Sequence, residues 1–512
     1  MDAAGNPSPK AEWKVGLKDR RNFENEIFRR LSNSLPPDDK QDGGADFRHV
    51  IFPDDFSITE LLGEKINRAY FANFSSAEFG KNADFSGIHF DLSANFSSAI
   101  FGNGTKFVRT SFGDGTDFGK VTFEGNVDFS NAIFRNATNF VETEFQGNAD
   151  FAEANFGNDS NFLHAKFFSN VIFTSVKFGD TTHFIRTDFS GSTKFIKTEF
   201  GEDSNFFDAE FVEVASFDGA TFGNSSCFDK VIFNVGAIFS EAKFGKETNF
   251  RDTKFMGRAD LSAPKPNVSS FDFHRANFTN ANFFGLCSFE NRTFASSASF
   301  DGTVFHDLVE FHGCTFHQGM SFHKSEFLKT KENKFDNRKE NDKATEALER
   351  SYRTLKLGME NLRARNEEAM FFALEMECRR NRGDVPRIER IAAMLYKHLS
   401  DYGQSIRWPL SWLGGVTVIM GSIYFYLLWA TFSPAPTDIW GGAPKVKSVV
   451  AFTVEQMFRP FYVWSKDSAG IRLNLFDDSA LLIPLLASLQ SLATLSLLAL
   501  FLLALRRRFK MD

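Results

Sequence analysis

Between Phe74 and Phe255 phenylalanine recurs at alternating intervals of five and six residues without a miss. One series runs Phe74, Phe85, Phe96, Phe107 and on to Phe250; the other runs Phe79, Phe90, Phe101, Phe112 and on to Phe255. Two residues before almost every ring stands a small side chain, among them Ala72, Ala77, Ala83, Thr105, Thr116, Val121, Ser160, Thr193 and Ala220. The residue between is mostly polar, as at Asn73, Asp84, Asp117, Asn139, Lys194 and Asn249. A mean spacing of about 5.5 matches neither the 3.6 of a helix nor the 2 of a flat strand, so neither element puts all the rings on one side.

A chain that turns a corner at every unit does. Each unit then forms one side of a coil, with the ring and the small residue inward and the polar residue outward. Successive coils stack about 4.8 Å apart, which sets ring above ring in columns. Small partners are required because a narrow coil has no room for a second bulky group. Gly, Asn and Asp gather in the spacers after the second ring (Gly80, Gly102-Asn103-Gly104, Gly113-Asp114-Gly115, Gly157-Asn158, Gly179-Asp180, Gly201). Unusual backbone angles are expected there.

A small residue, a polar one, a central Phe or Leu and two more polar residues make the unit of pentapeptide-repeat proteins, which residues 70–330 resemble. The resemblance implies a mainly β fold, a right-handed quadrilateral β-helix whose core includes Phe74, Phe79, Phe85, Phe90, Phe96 and Phe101. The extra residue in every second unit gives a period of 11 and enlarges a four-sided coil from about 20 to about 22 residues. About 12 coils make a rod on the order of 55 Å long.

Composition narrows the function. The chain has 66 phenylalanines, an excess that belongs to the repeat, and the net charge is −7. Residues 70–330 carry about 32 acidic against about 21 basic side chains, the reverse of a nucleic-acid binder, so nucleic acid is not expected as a partner. Cys227, Cys287, Cys314 and Cys378 form no paired spacing, which predicts neither a structural zinc nor a disulfide framework. His306, His312, His317 and His323 each follow a repeat ring, but successive units lie on different sides of a coil. Their imidazoles therefore point apart, whereas a metal needs its ligands about 2 Å from one point. No catalytic, cofactor-binding or metal-binding residues are expected, and no enzymatic activity.

With the rod at 70–330, the chain divides into four parts. Residues 1–69 form an N-terminal helix with Phe23, Ile27 and Leu31 on one face, ended by Pro36-Pro37. After a linker, Phe52, Phe56, Ile58 and a helical piece near 60–67 cap the first coil. Residues 1–50 are polar, with no secretory signal. Within the repeat, regularity lapses at Leu261, and Ser262 to Asn267 reads as a loop; Phe271, Arg292 and Met320 then fill small-residue positions. A charged link, Lys331–Lys343, leads to the helical segment of 331–405. There Leu348, Tyr352, Leu355, Met359 and Leu362 form a seam on a helix from Asn341 to about Arg382, either against the last coil or against a second copy. A further helix from Pro386 to about Tyr402 carries Ile388, Ile391, Leu395 and Leu399 on an apolar face beside a membrane.

Residues 406–512 read as a membrane hairpin, with spans at about 408–432 and 479–505. Trp408, Trp412, Trp429 and Trp440 fall at interface depth, and Arg407 with Arg506-Arg507-Arg508 puts both ends on the cytoplasmic side. A short apolar run at 448–458 lies between the spans and is closed by Arg459-Pro460. Span, short helix, span resembles the pore module of potassium-channel-like proteins, although the Thr-Val-Gly-Tyr-Gly filter is absent. Glu455 is then a carboxylate of a selectivity ring or one at the interface. Ser488, Gln490, Ser491 and Thr494 either bond helix to helix or line a pore.

The function expected is a bacterial inner-membrane protein. Its cytoplasmic rod is a scaffold or sensor for a cytosolic protein, coupled to a two-span, ion-channel-like module in the bilayer and assembled as a homo-oligomer. The alternatives are a plain anchored scaffold without a pore, or a DNA-mimicking decoy of a type II topoisomerase, which the family resemblance brings in.

Overall fold

The computed structural model describes residues 17–33, 45–62, 68–69, 72–264, 273–317, 319–328, 338–431, 443–458, 463 and 482–509. The chain forms two units, Met1–Lys334 and Phe335–Asp512.

The first unit is a β-solenoid of four parallel ladders, the longest with 12 strands. In the coil starting at Ala72, the chain crosses the four faces at Ala72–Asn73, Glu78–Phe79, Asp84 and His89–Phe90. It pairs 22 residues on, Ala72 with Ala94 and Phe79 with Phe101, which is the enlarged coil the period of 11 requires. Twelve rungs at about 4.8 Å make the longest ladder about 53 Å.

The core is four columns of phenylalanine. Phe74, Phe96, Phe118 and Phe140 stack at 5.1, 4.9 and 4.8 Å between ring centroids, nearly coplanar in direction. Neighbouring columns meet edge to face, as Phe96 and Phe107 do at 5.8 Å and 79°, both arrangements that the ring quadrupole favours. Phe74, Phe85 and Phe96 are wholly buried, and so are Ala72, Ala83 and Ala94 before them. Where the small residue before a second-series ring is a threonine, its buried hydroxyl donates to a ring residue's carbonyl in the coil before, as Thr143 does to Phe118 at 2.7 Å and Thr187 to Phe162 at 2.8 Å, whereas Thr105 and Thr116, before first-series rings, donate to the carbonyls of Gly102 and Gly113.

The outward polar residue has a local task. Asn73, Asp84, Asn95 and Asn161 each accept, through Oδ1, the N–H two residues on. That turn delivers the chain into the left-handed region two residues after the first-series ring, where Ser76, Ser98, Arg109, Lys120, Glu142 and His164 have φ of 55° to 60°. The cost of such a backbone, about 1–2 kcal/mol for a non-glycine residue, is offset because its N–H bonds the next coil, Ser76 to the Ser97 carbonyl for one.

The spacer glycines correct the expectation of unusual angles. Gly104 and Gly115 do have φ of +85° and +69°. Gly157 is needed for closeness instead: a Cβ there would lie 2.7 Å from the Arg135 carbonyl carbon and the Asn136 nitrogen in the coil beneath. Gly201 is as tight against Asp180 and Gly179, at 2.6 Å. Beside them runs a side-chain ladder in which Asn136, Asn158 and Asp180 each accept the next coil's N–H, from Asn158, Asp180 and Glu202.

The first end departs from the sequence-based boundary. Pairing starts at Ala45, opposite Ala72, rather than near residue 70, and Phe47 and Phe52 already stack under Phe74 and Phe79. This first coil escapes the strict period because it is longer and contains a short helix, Ile58–Leu62, where a piece near 60–67 is expected; 63–67 lie outside the described residues. The cover over the coil is helix α1, Leu17–Asn33. Its Ile27 is buried, Phe23 meets Phe52 edge-on at 5.7 Å, and Arg30 donates to the Asp46 carbonyl. The short helix is α2. Pro36-Pro37 and most of the linker after it lie outside the described residues.

At the far end Leu261 takes a ring position and is wholly buried. Pairing then steps by 28, Lys254 with Asn282, so six residues are inserted here. Half of the predicted loop, 265–267, lies outside the described residues, and so does Phe271. Met320 and Arg292 are both buried in small-residue positions.

The second unit is helical. The helix expected from Asn341 to Arg382 is two, α3 (Arg338–Asn361) and α4 (Arg365–Asn381), folded back through Arg363 at φ 57°. Leu348, Tyr352, Leu355 and Met359 are buried, and α4, with buried Phe371 and Cys378, packs along α3. The seam is thus closed within one chain. Glu375 receives Arg353 at 2.8 Å and Lys356 at 2.6 Å, and Glu349 receives Arg382 at 2.8 Å. Then follow α5 (Arg387–Ser400), α6 (Arg407–Thr431), α7 (Ala443–Phe458) and α8 (Leu482–Phe509).

Candidate functional site

The polar residues singled out in the second apolar segment come together with others where α6, α7 and α8 meet. On α7, Val449, Phe452, Thr453 and Gln456 share one face at helical spacing and are all buried. Tyr424 of α6 meets Phe452 edge-on at 5.2 Å, and Leu428, Ile483 and Ala487 complete an apolar cluster. Through it runs a polar thread: the Tyr424 hydroxyl donates to Gln490 Oε1 at 3.1 Å, and Gln490 Nε2 donates to the Thr453 carbonyl at 2.9 Å. Ser491 Oγ donates to the Gln456 carbonyl at 3.3 Å and back to the Ala487 carbonyl at 2.9 Å, and Thr494 donates to the Gln490 carbonyl.

Gln490, Ser491 and Thr494 are therefore buried among the helices of one chain, joining α8 to α6 and α7. Ser488 is half-buried. Glu455 is half-buried on α7, next to the inward Gln456. The apolar run of 448–458 extends to a helix of 16 residues, about 24 Å at 1.5 Å per residue. Trp440 and Arg459-Pro460-Phe461 lie outside the described residues. Tyr424, Thr453 and Gln456 were not legible as partners from sequence; the available signal was a glutamine at i+7 from Val449 on an otherwise apolar face.

A groove of about 410 Å³ between α6 and α7 is lined by Thr417, Gly421, Ser422, Phe425, Val449 and Thr453, with no titratable group among its walls. On the solenoid, a trough of about 490 Å³ runs over five coils past Lys106, Asp128, Asp150 and Lys194. Neither converges acid, base and nucleophile on one point. His306, His312, His317 and His323 are all exposed, and His306 stacks on Phe284 at 4.4 Å. All four cysteines are free, and burial raises each thiol above its ordinary range, which makes them poor nucleophiles.

The bonding pattern separates two glutamines. Gln490→Leu removes the bonds to the Tyr424 hydroxyl and the Thr453 carbonyl and is expected to destabilise the three-helix packing by about 1–2 kcal/mol. Gln456→Leu is expected to be neutral or stabilising, because neither atom of its amide has a hydrogen-bond partner among the described residues. Unfolding in mixed detergent, followed by tryptophan fluorescence, checks both.

Comparison with known proteins bears on the rod. The family of pentapeptide repeats, in its nine-copy form, matches residues 85–133, 129–177 and 217–263. The chain is a pentapeptide-repeat β-solenoid protein. Neither curated proteins nor solved structures give a match. In this pentapeptide-repeat protein the matched residues lie wholly within the four-ladder coils, and the match does not extend to the helical unit.

Proposed function

We propose that this pentapeptide-repeat protein is an anchored scaffold of a bacterial inner membrane, a cytoplasmic rod that presents its ladder surface to a protein partner. The observation that carries the anchor is the exposure of α6. Arg407–Trp429, 23 residues long and apolar enough to cross a membrane, buries only 6% of its most apolar window within the chain, whereas a soluble protein's core helix would be mostly buried. Leu482–Arg506 is the second such helix, 25 residues long, and Leu485, Leu489, Leu492 and Leu502 face outward along it. Arg407 begins one and Arg506 ends the other, which supports an orientation with both ends on the positive, cytoplasmic side.

A binding role for the rod is supported by apolar residues at one edge. Phe168, Val212, Met256 and Phe284 each follow a ring on the same face and are exposed. The polar thread supports an anchor rather than a pore, since its side chains bond within one chain. No catalytic step is part of this reading.

The test is fractionation of cells expressing the full chain. The protein is expected in the membrane pellet and resistant to alkaline carbonate, while truncation before Arg407 abolishes the carbonate-resistant fraction. Proteoliposomes of the full chain are expected to show no ion flux above empty vesicles. A full chain that stays soluble without detergent would overturn the anchor, and a reproducible conductance would overturn the pore-free reading.

A further inference from the structure

Helix α5 has an apolar face that is exposed among the described residues. Ile388 is 81% exposed, Ile391 54%, Leu395 50% and Met394 43%. At about 100° per residue, Ile388, Ile391 and Leu395 form one stripe, Arg387 and His398 follow its edge, and the half-buried Arg390 stands beyond Met394 on the same side. The opposite face carries the buried Ala393 and Ser400 and packs into the unit. Glu389, the one acidic residue of α5, is engaged by Arg379 of α4 at 3.0 Å. The free edge of the stripe is thus left basic.

Two observations identify what covers this stripe. First, α5 packs against both α6 and α8, the two helices long and apolar enough to cross a membrane. Second, it is tied to the head of α6: the Trp412 indole N–H donates to the His398 carbonyl at 3.0 Å, across the turn from Asp401 to Ile406. That bond holds the C-terminal end of α5 at the level of the first turn of α6, where Trp408 and Trp412 are exposed. An exposed apolar stripe with a basic edge, fixed at that level, has the properties of a helix lying in the membrane interface.

Resting on the anchor reading, we infer that α5 lies in the plane of the bilayer surface, with Ile388, Ile391 and Leu395 in the acyl boundary and Arg387 and Arg390 on anionic lipid headgroups. The helix then fixes the depth at which the chain enters the bilayer and makes its seating depend on headgroup charge.

The experiment uses the full chain in phosphatidylcholine vesicles, with and without phosphatidylglycerol, containing lipid brominated high on the acyl chain. A fluorophore is attached through Ile391→Cys, Val418→Cys or Asn366→Cys, the last an exposed site at the tip of the α3–α4 hairpin. Selective labelling follows from the raised thiols of the native cysteines. Quenching at 391 is expected to exceed that at 366 by roughly two-fold or more. It is expected to increase with phosphatidylglycerol, and Arg387→Gln with Arg390→Gln removes that increment. Quenching at 418 but not at 391 overturns the inference and leaves the anchor standing; no quenching at either position overturns both. A label at 391 that is unquenched but crosslinks to another chain assigns the stripe to a second copy and also overturns it. Quenching at 391 that ignores phosphatidylglycerol overturns the headgroup contact.

Discussion

Phe162→Ala is expected to destabilise the solenoid by about 3–5 kcal/mol, the range for emptying a buried aromatic site that cannot collapse. Phe162 stacks on Phe140 at 4.8 Å and on Phe184 at 4.7 Å, and meets Phe151 and Phe173 edge-on at 6.3 and 6.1 Å. Ladders on all four faces hold the coils at fixed spacing, so the rings above and below cannot close the gap. Phe162→Leu is expected to cost only about 1–2 kcal/mol, because the chain already tolerates Leu261, wholly buried, in a ring position. Phe327→Ala is the comparison at the last ring of its column among the described residues: it stacks on Phe305 at 4.9 Å and is 7% exposed. Its effect should be about half that of Phe162→Ala, since repeat arrays sum nearest-neighbour terms. Urea unfolding of the full chain in detergent, followed by far-ultraviolet circular dichroism, ranks the three. Equal effects at 162 and 327 would mean that the columns do not act as nearest-neighbour stacks.

The ring columns were legible because a period repeated dozens of times leaves one geometry that buries every ring. Their limits were not. The first coil, from Ala45, contains α2 and pairs 27 residues on, so its rings Phe47 and Phe52 break the count while keeping their place in the columns. Corner chemistry was read from residue type, which places strain at glycine. The backbone instead puts Arg109, Lys120 and Glu142 in the left-handed region, because the N–H of each is satisfied by the next coil. The break between α3 and α4 carries no Gly or Pro: Leu362-Arg363-Ala364 continues a helical pattern, and only the burial of Leu348 and Tyr352 under α4 reveals the turn. In the membrane-type helices, Gln490, Ser491 and Thr494 were visible as a polar set. Their partners were not, since a backbone carbonyl such as that of Thr453 leaves no trace in a sequence.

Arg292→Ala is the second large effect expected, about 3 kcal/mol or more, and its cause starts with a proline. After each ring on the face of Phe85, Phe217 and Phe239, the carbonyl accepts the N–H three residues on, from Ile88, Ala220 and Ala242. Leu261 stands in that place, and three residues on is Pro264, which has no N–H to give. Arg292 supplies the donor: its Nε bonds the Leu261 carbonyl, while its two terminal nitrogens bond the carbonyls of Ala242 at 2.7 Å and Phe239 at 3.0 Å. Thr110 and Thr198 occupy equivalent positions, each bonding the ring residue's carbonyl one coil back. The arginine takes over that bond and reaches one coil further, its guanidinium 5.5 and 5.3 Å from the ring centres of Phe244 and Phe273. Leu261, shorter than phenylalanine, leaves the room. Truncation to alanine combines a cavity with the loss of a donor to each of three buried carbonyls, each worth about 1–3 kcal/mol where no other partner replaces it. Arg292→Thr should recover part of the loss through the Leu261 carbonyl, and Arg292→Lys little, because an ammonium on one stem cannot present the planar fork that reaches three acceptors. Urea unfolding gives the order Arg, Thr, Lys, Ala, and amide exchange should quicken first around 239–264 and 273–300. If Arg292→Met matches the wild type, the carbonyl bonds contribute nothing net and volume alone explains the residue.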